Sequence, residues 1–237
     1  MKKYLWTVLL LAATPLARAD LRVDASRLVL DESVGMASVR VGNRAEVPSL
    51  VQAWIDDGAG ETELEALRQP LAVTTPLFKI APRARRDIGL RLVDPAALPQ
   101  DRESMFWLNI LDLTARGAQE RALDVAMHWR MKVFHRPTGL PGDPSAAAKA
   151  LEWRIRGGKL EARNPTAYFV SLGELTLNGS AVPMEAASSS IAPFSTWATP
   201  VDGDGDEVRE GTRPSVLDVL WLDDAGLPNR MQVSLEP

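Results

Sequence analysis

Residues 123–137 read LDVAMHWRMKVFHRP, and apolar residues occupy alternate positions in this stretch. Since successive side chains of a strand point to opposite faces, the pattern places them on one face of a single long strand. They are Leu123, Val125, Met127, Trp129, Met131 and Val133. Pro137 ends the strand because it has no N–H for a further ladder bond. Strands usually run about five or six residues, so two interpretations stay open: a long core strand of a β-sandwich, or a strand that lends part of its apolar face to another protein.

The amino terminus has the three regions of a secretory signal peptide. Lys2 and Lys3 are positively charged, residues 5–13 are apolar, and residues 17–19 form the small-x-small cleavage site Ala-Arg-Ala. The apolar run is far shorter than the ~20 residues that a membrane-spanning helix needs. The sequence therefore predicts that residues 1–19 are a signal peptide and that the mature chain is exported without a membrane span.

Composition restricts the partners and the means of stabilisation. The chain has no cysteine, and its formal net charge is −4. Loss of Lys2, Lys3 and Arg18 with the signal peptide makes the mature chain more acidic. A nucleic-acid partner requires a basic face, so we expect none. Without disulfides, the fold must be held by hydrophobic cores, for which domains of ~100 residues are large enough.

Extended segments separated by turn residues fill most of the chain. Before the long strand they cover residues 21–30, 36–41, 49–55, 71–80, 88–93 and 104–111. After it they cover residues 153–162, 168–172, 175–182, 216–222 and 231–235, with turns at Gly157-Gly158 and Asn178-Gly179. Short strands with regular turn signals indicate antiparallel β-sandwiches.

The stretch 138–145 is rich in proline and glycine and separates the two series of strands. Such a stretch is typical of a domain boundary. We therefore predict an all-β protein with two consecutive β-sandwich domains. Residues 20–138 form the first domain, residues 139–145 the linker, and residues 146–237 the second domain.

No catalytic or metal-binding constellation is apparent. His128 and His135 are the only histidines, and a zinc site needs three or four ligands. Residues 202–206 resemble the start of a calcium loop, but Glu207 replaces the required glycine and Arg213 the required glutamate. The sequence also lacks a nucleophile elbow, a phosphate-binding loop and a dinucleotide fingerprint. We therefore expect a binding protein that is not an enzyme and has no metal or cofactor.

Five blocks carry a family resemblance. In chain order they are PSLVQAWIDD (residues 48–57), LPQDRESMFWLN (98–109), RMKVFHRP (130–137), NPTAYF (164–169) and APFST (192–196). Together they resemble the periplasmic pilus (fimbrial) chaperones of the chaperone–usher pathway, the PapD-like family. The resemblance implies two immunoglobulin-like domains in an L-shaped (boomerang) arrangement, with a subunit-binding cleft between them.

The resemblance also implies a function. A chaperone of this family resides in the periplasm, where it binds and folds pilus subunits by donor-strand complementation. It then delivers them to an outer-membrane usher for pilus assembly. The donated residues implied here are Leu123, Val125, Met127 and Trp129, although the bulk of Trp129 leaves open that it packs inside the chaperone instead.

Two sets of charged residues match family positions. Arg27 and Lys132 match the pair that holds the C-terminal carboxylate of the pilin. Glu103, Arg136 and Asp224 match an ion network that fixes the angle between the domains. One exposed apolar strand is also consistent with self-association of the free protein.

The sequence leaves two other functions to compare with that of a chaperone. An exported two-domain adhesive or structural pilus component is the main alternative, but a pilin lacks its final strand, whereas this chain keeps the strand that begins at Leu123. An exported hydrolase on a sandwich fold is disfavoured by the missing catalytic constellation.

Overall fold

The structure, a computed structural model, describes residues 21–58, 69–113, 126–184, 189–201 and 215–235. Two hydrophobic cores form within these residues, one in each half of the chain. Helical structure in the described residues is limited to two short 3-10 helices, Pro95–Ala97 and Pro144–Ala150. No helix in this part of the chain is both long and apolar enough to cross a membrane. The prediction of a signal peptide at residues 1–19 lies outside the described residues.

The first domain is a β-sandwich. Its strands are β1 (Leu21–Val23), β2 (Arg27–Asp31), β3 (Met36–Asn43), β4 (Ser49–Asp56), β5 (Leu71–Val73), β6 (Leu77–Ile80), β7 (Arg85–Leu92), β8 (Ser104–Asp112) and β9 (Met127–Arg136). One sheet has the strand order β1-β3-β7-β5, and the other has the order β2-β9-β8-β4-β6. The long strand β9 is therefore internal to its sheet, between β2 and β8.

Residues 21–31 form two strands in different sheets, which differs from the single extended segment predicted for residues 21–30. β1 pairs antiparallel with β3, whereas β2 pairs in parallel with β9. By crossing from one sheet to the other, the chain brings both Leu21 and Leu30 into the same core. The parallel pairing also sets Arg27 directly opposite Lys132.

Strand β9 follows the period of two predicted for it. Met131 and Val133 are buried in the first core, and Trp129 is half-buried against the same core. Burial of each such side chain contributes roughly 1.5–3 kcal/mol. The strand has 10 residues in the described part of the chain, which confirms its unusual length. Leu123 and Val125 lie outside the described residues.

The second domain is also a β-sandwich. Its strands are β10 (Glu152–Arg156), β11 (Lys159–Arg163), β12 (Val170–Leu177), β13 (Ser180–Ala181), β14 (Ser190–Ile191), β15 (Thr196–Pro200), β16 (Ser215–Leu222) and β17 (Pro228–Leu235). One sheet has the order β10-β11-β15, and the other has the order β13-β12-β16-β17 with β14 paired to β12. The all-β fold with two sandwich domains is thus confirmed.

Turn chemistry in the second domain is partly as predicted. β10 and β11 form the expected hairpin, with φ values of 56° at Gly157 and 71° at Gly158. The two strands predicted for residues 168–182 are instead mainly one strand, β12, with a bulge between Leu172 and Glu174. Gly173 lies at this bulge. Its lack of a Cβ leaves room for the side chain of Leu220, which a Cβ there would overlap.

Candidate functional site

Two basic side chains lie side by side where the first domain faces the second. Arg27 begins β2 and Lys132 lies on β9, and the parallel register places them opposite each other. Arg27 contacts the carbonyl of Leu222, and Lys132 contacts Ser190, both in the second domain. The structure therefore brings together the two residues that the sequence predicts as a carboxylate anchor.

Arg27 is a buried cation with unused hydrogen-bonding capacity. The residue is 7% exposed, and its Nη1 donates to the Leu222 carbonyl oxygen at 3.3 Å. Its Nε is buried without a hydrogen-bond partner in the described residues. Burial lowers the pKa of the guanidinium, although the nearby charges of Asp224 and Asp223 partly offset this effect. A buried donor without a partner is costly, so the site is suited to an acceptor from outside the chain.

Lys132 is held by hydroxyl groups. Its Nζ donates to Ser189 Oγ at 3.0 Å and to Ser190 Oγ at 2.6 Å. The same Nζ lies 5.7 Å from the centre of the Trp107 ring. Burial, reinforced by the positive charge of Arg27, lowers the pKa of Lys132 to about 8.

Neither cation has a carboxylate within ion-pair distance in the part of the chain that the structure describes. Two like charges at neighbouring, partly desolvated positions repel each other, and this repulsion disfavours the charged form of both. The N–H groups of both side chains are donors of the kind that carboxylates accept.

The predicted donor strand is only partly within the described residues. Met127, the first residue of β9, is 36% exposed. Trp129 packs against the first core, which favours the interpretation that it stays inside this domain. Leu123 and Val125 precede the described part of the strand, so their donation stays a prediction.

The predicted ion network does connect the two domains. Arg136 Nε donates to Glu103 Oε1 at 2.6 Å. Its Nη1 and Nη2 donate to the two carboxylate oxygens of Asp224 at 2.8 and 3.1 Å. Glu103 Oε2 also accepts the backbone N–H of Phe169 at 2.7 Å. Burial alone would lower the pKa of Arg136, but the hydrogen bonds and charges of its two partners raise it above the usual value.

Aromatic contacts supplement this network. The rings of Phe134 in β9 and Phe169 in the second domain lie 5.5 Å apart. The guanidinium of Arg102 lies 5.2 Å from the ring centre of Phe194. The domains are thus joined by both charged and apolar contacts.

A buried polar cluster in the first domain was not predicted. Asp56 ends β4 and is 8% exposed, although a glycine two residues later is typical of a turn. It accepts hydrogen bonds from Asn109 at 2.6 Å and from Arg130 at 2.8 Å. His128 contacts Asn109 at 2.9 Å and stacks on Trp54. In the sequence, the alternation of polar residues along β9 is a sign of this cluster. Their partners lie on other strands, so the alternation alone does not identify them.

His135, the second histidine, has a different environment. Its side chain is fully buried, and its Nε2 lies 3.6 Å from a carboxylate oxygen of Glu32. Within the described residues, no group of three or more histidine, aspartate or glutamate residues could hold a metal ion. The acidic stretch at residues 202–206 lies outside that part of the chain.

Comparisons with known proteins define the class of protein. A family model described as pili and flagellar-assembly chaperone, PapD N-terminal domain, matches residues 20–141. A second model, described as pili assembly chaperone PapD, C-terminal domain, matches residues 146–233. The chain therefore belongs to the PapD family of pili assembly chaperones.

Individual relatives agree with this assignment. The chaperone protein FimB/FhaD of Bordetella pertussis is 31% identical over 230 residues, which cover 94% of this chain and 91% of the relative. The chain is also similar to the crystal structure of the YadV chaperone, with 28% identity and a TM-score of 0.74. This match covers 91% of this chain and 100% of the YadV chain. The SafB chaperone of Salmonella enterica, solved in complex with the SafA pilin, shares the fold. Its TM-score is 0.75 at 22% identity, with 94% of this chain and 99% of the other covered.

Replacement of Lys132 by methionine should stabilise the free protein. Because the folded-state pKa of about 8 lies below the ordinary value of 10.5, the unfolded chain binds a proton more tightly than the folded one. Folding stability therefore rises between pH 8 and 10.5 and is lowest, for this group, below pH 8. We expect Lys132→Met to raise Tm at pH 7 by about 2–4 °C, the shift that ~1 kcal/mol produces in a chain of this size.

Thermal unfolding at pH 7 and at pH 10 measures this effect. The gain from Lys132→Met should shrink at pH 10, where the lysine of the folded protein is already neutral. Lys159→Met is the matched control, since Lys159 is exposed in the β10–β11 hairpin, and it should leave Tm unchanged. A loss of stability in Lys132→Met at both pH values would contradict the prediction.

Proposed function

We propose that this protein is a periplasmic chaperone that captures pilus subunits at the Arg27–Lys132 site. The observation that carries the proposal is the pair of adjacent cations, a buried Arg27 and a half-buried Lys132, without an ion-pair partner in the described residues. They lie on β2 and β9, and β9 follows directly after the stretch in which the sequence predicts the donated residues Leu123 and Val125. A ligand that offers both a free carboxylate and an apolar groove fits this arrangement.

The carboxylate in the proposal is the C-terminal one of the subunit. Each charge-assisted hydrogen bond to it contributes roughly 1.5–3 kcal/mol. Binding of the carboxylate matters more for the register between the donor strand and the subunit, because a slip of one residue turns every donor side chain away from the groove. Arg27 and Lys132 thus fix which residues of the strand the subunit meets.

The apolar side chains supply more of the binding energy. A subunit that lacks its last strand exposes an apolar groove and unpaired strand edges, which promote aggregation. Leu123, Val125 and Met127 are the donated residues in the proposal, whereas Trp129, the fourth residue that the family resemblance implies, packs against the first core. At roughly 1.5–3 kcal/mol each, three such residues provide on the order of 5–9 kcal/mol before ordering costs. Self-association of the free chaperone through this strand is part of the same proposal.

The relatives support this function by their names. YadV of Escherichia coli is named a probable fimbrial chaperone, and SafB was solved with a pilin bound. We further propose delivery of the bound subunit to an outer-membrane usher, without catalysis or a cofactor. In this proposal residues 1–19 are removed on export, and Glu103, Arg136 and Asp224 set the angle between domain 20–138 and domain 146–237 across the linker 139–145.

Removal of either anchor cation should weaken subunit capture. Loss of one charge-assisted contact corresponds to about 10- to 150-fold weaker binding. The measurement is co-expression of the Arg27→Ala and Lys132→Ala variants with the pilin encoded beside the chaperone, followed by purification of the pair and determination of Kd. Circular dichroism establishes that each variant is folded. Folded variants with undiminished capture would disprove the anchor.

A charge on the donor face should abolish capture. Val125→Glu places a carboxylate where the subunit groove is apolar, and an unpaired buried charge is strongly unfavourable. Ala126→Glu is the matched control, because residue 126 belongs to the opposite face of the strand. We expect pilin to co-purify with Ala126→Glu but not with Val125→Glu. Equal capture by both variants would rule out donation through this face.

A further inference from the structure

The turn between β16 and β17 is held by hydrogen bonds of Asp223 and lies next to Arg27 of the proposed anion site, which consists of Arg27 and Lys132. Asp223 Oδ1 accepts the backbone N–H groups of Ala225 at 3.0 Å and Leu227 at 2.8 Å. The backbone N–H of Gly226 donates to the Asp223 carbonyl at 2.9 Å, and that of Asp223 donates to the Leu227 carbonyl at 3.0 Å. Gly226 has a φ of 78°, a conformation that glycine and, less readily, asparagine adopt.

This turn contacts the segment that begins β2. A Cβ added at Gly226 would overlap Ser26 Oγ and would lie 3.8 Å from Nε of Arg27. By contrast, a Cβ added at Gly158, which also has a positive φ, would meet nothing within 4 Å. Glycine at position 226 therefore has two roles. It adopts the positive φ of the turn, and it allows the second domain to approach Arg27 closely.

The approach brings two groups of the turn into contact with the first domain. The carbonyl oxygen of Leu222 accepts from Nη1 of Arg27, and the carboxylate of Asp224 accepts from Arg136. The partner of Arg27 is thus a neutral carbonyl. A carboxylate in that place would neutralise the guanidinium, whereas a carbonyl orients it and leaves its charge available to a ligand.

We infer that the β16–β17 turn forms the second-domain wall of the anion site and that Gly226 is a positioning residue for Arg27. The close contact of Gly226 with Ser26 sets the distance at which the Leu222 carbonyl holds the guanidinium. Recognition of a carboxylate by the first domain therefore depends on the second domain. This inference rests on the proposed function, in which the carboxylate is the C terminus of a subunit.

Substitution of Gly226 by asparagine tests the inference without changing a charge. Asparagine tolerates a positive φ, so the turn can form, but its side chain must displace Ser26 or the guanidinium of Arg27. Gly158→Asn introduces the same side chain at a similar φ in open space and is the matched control. Gly226→Ala should have a smaller effect than Gly226→Asn, because the exposed Ser26 hydroxyl can rotate away.

The readout is discrimination between two ligands, which loss of stability alone would not change. Each full-length chaperone is co-expressed with the pilin encoded beside it, either with its natural C terminus or extended by three glycines. The ratio of natural to extended pilin captured measures recognition of the carboxylate. We expect a ratio of about 10 or more for the wild type and for Gly158→Asn, since one charge-assisted contact is worth at least about tenfold.

For Gly226→Asn the ratio should fall to about one, with an intermediate value for Gly226→Ala. A ratio for Gly226→Asn equal to that of the wild type would overturn the inference, as would an equal fall in Gly158→Asn. A wild-type ratio near one would instead contradict the proposed function, because the carboxylate would then not be recognised at all. The two failures are therefore distinguishable.

Discussion

Two positive charges lie side by side at the proposed site, with Arg27 buried and Lys132 half-buried. Arg27 and Lys132 meet because β2 pairs in parallel with β9. Each is desolvated, and the positive charge of Arg27 adds to the effect of burial on Lys132. Repulsion between the two cations lowers the stability of the folded protein. In the proposed function, the C-terminal carboxylate of a subunit would offset this cost, so the repulsion would add to the affinity for that carboxylate.

Contacts between the domains hold this pair in place. Arg136 joins Glu103 in the first domain to Asp224 in the second, and Phe134 meets Phe169 beside it. The second domain contributes neutral acceptors to the cations, namely the serine hydroxyls at Lys132 and the Leu222 carbonyl at Arg27. These acceptors orient the cations without neutralising them. The long strand β9 carries three of these features, since Lys132, Phe134 and Arg136 occupy alternate positions on one face.

Side-chain periodicity and family resemblance predicted much of the fold and of the site. The period of two places Met131 and Val133 on one face of β9, and the structure buries both in the core. The resemblance singles out Arg27, Lys132 and the three residues of the ion network, which the structure brings together where the two domains meet. Features that depend on backbone position were not predictable. The Leu222 carbonyl could be supplied by any residue type, and the contact of Gly226 with Ser26 joins residues that are distant in sequence. The sequence around Asp56, with a glycine two residues later, is typical of a turn, whereas Arg130 and Asn109 of other strands hold Asp56 inside β4.

The protonation of Lys132 reports whether a carboxylate binds beside it. Side-chain nuclear magnetic resonance can follow the titration of this lysine in the free chaperone and in its complex with the pilin encoded beside it. We expect a midpoint near the folded-state pKa of about 8 in the free protein. In the complex we expect a clearly higher midpoint, because a bound carboxylate favours the charged form. An unchanged midpoint on pilin binding would show that no carboxylate reaches Lys132 and would disprove capture of the subunit at the Arg27–Lys132 site.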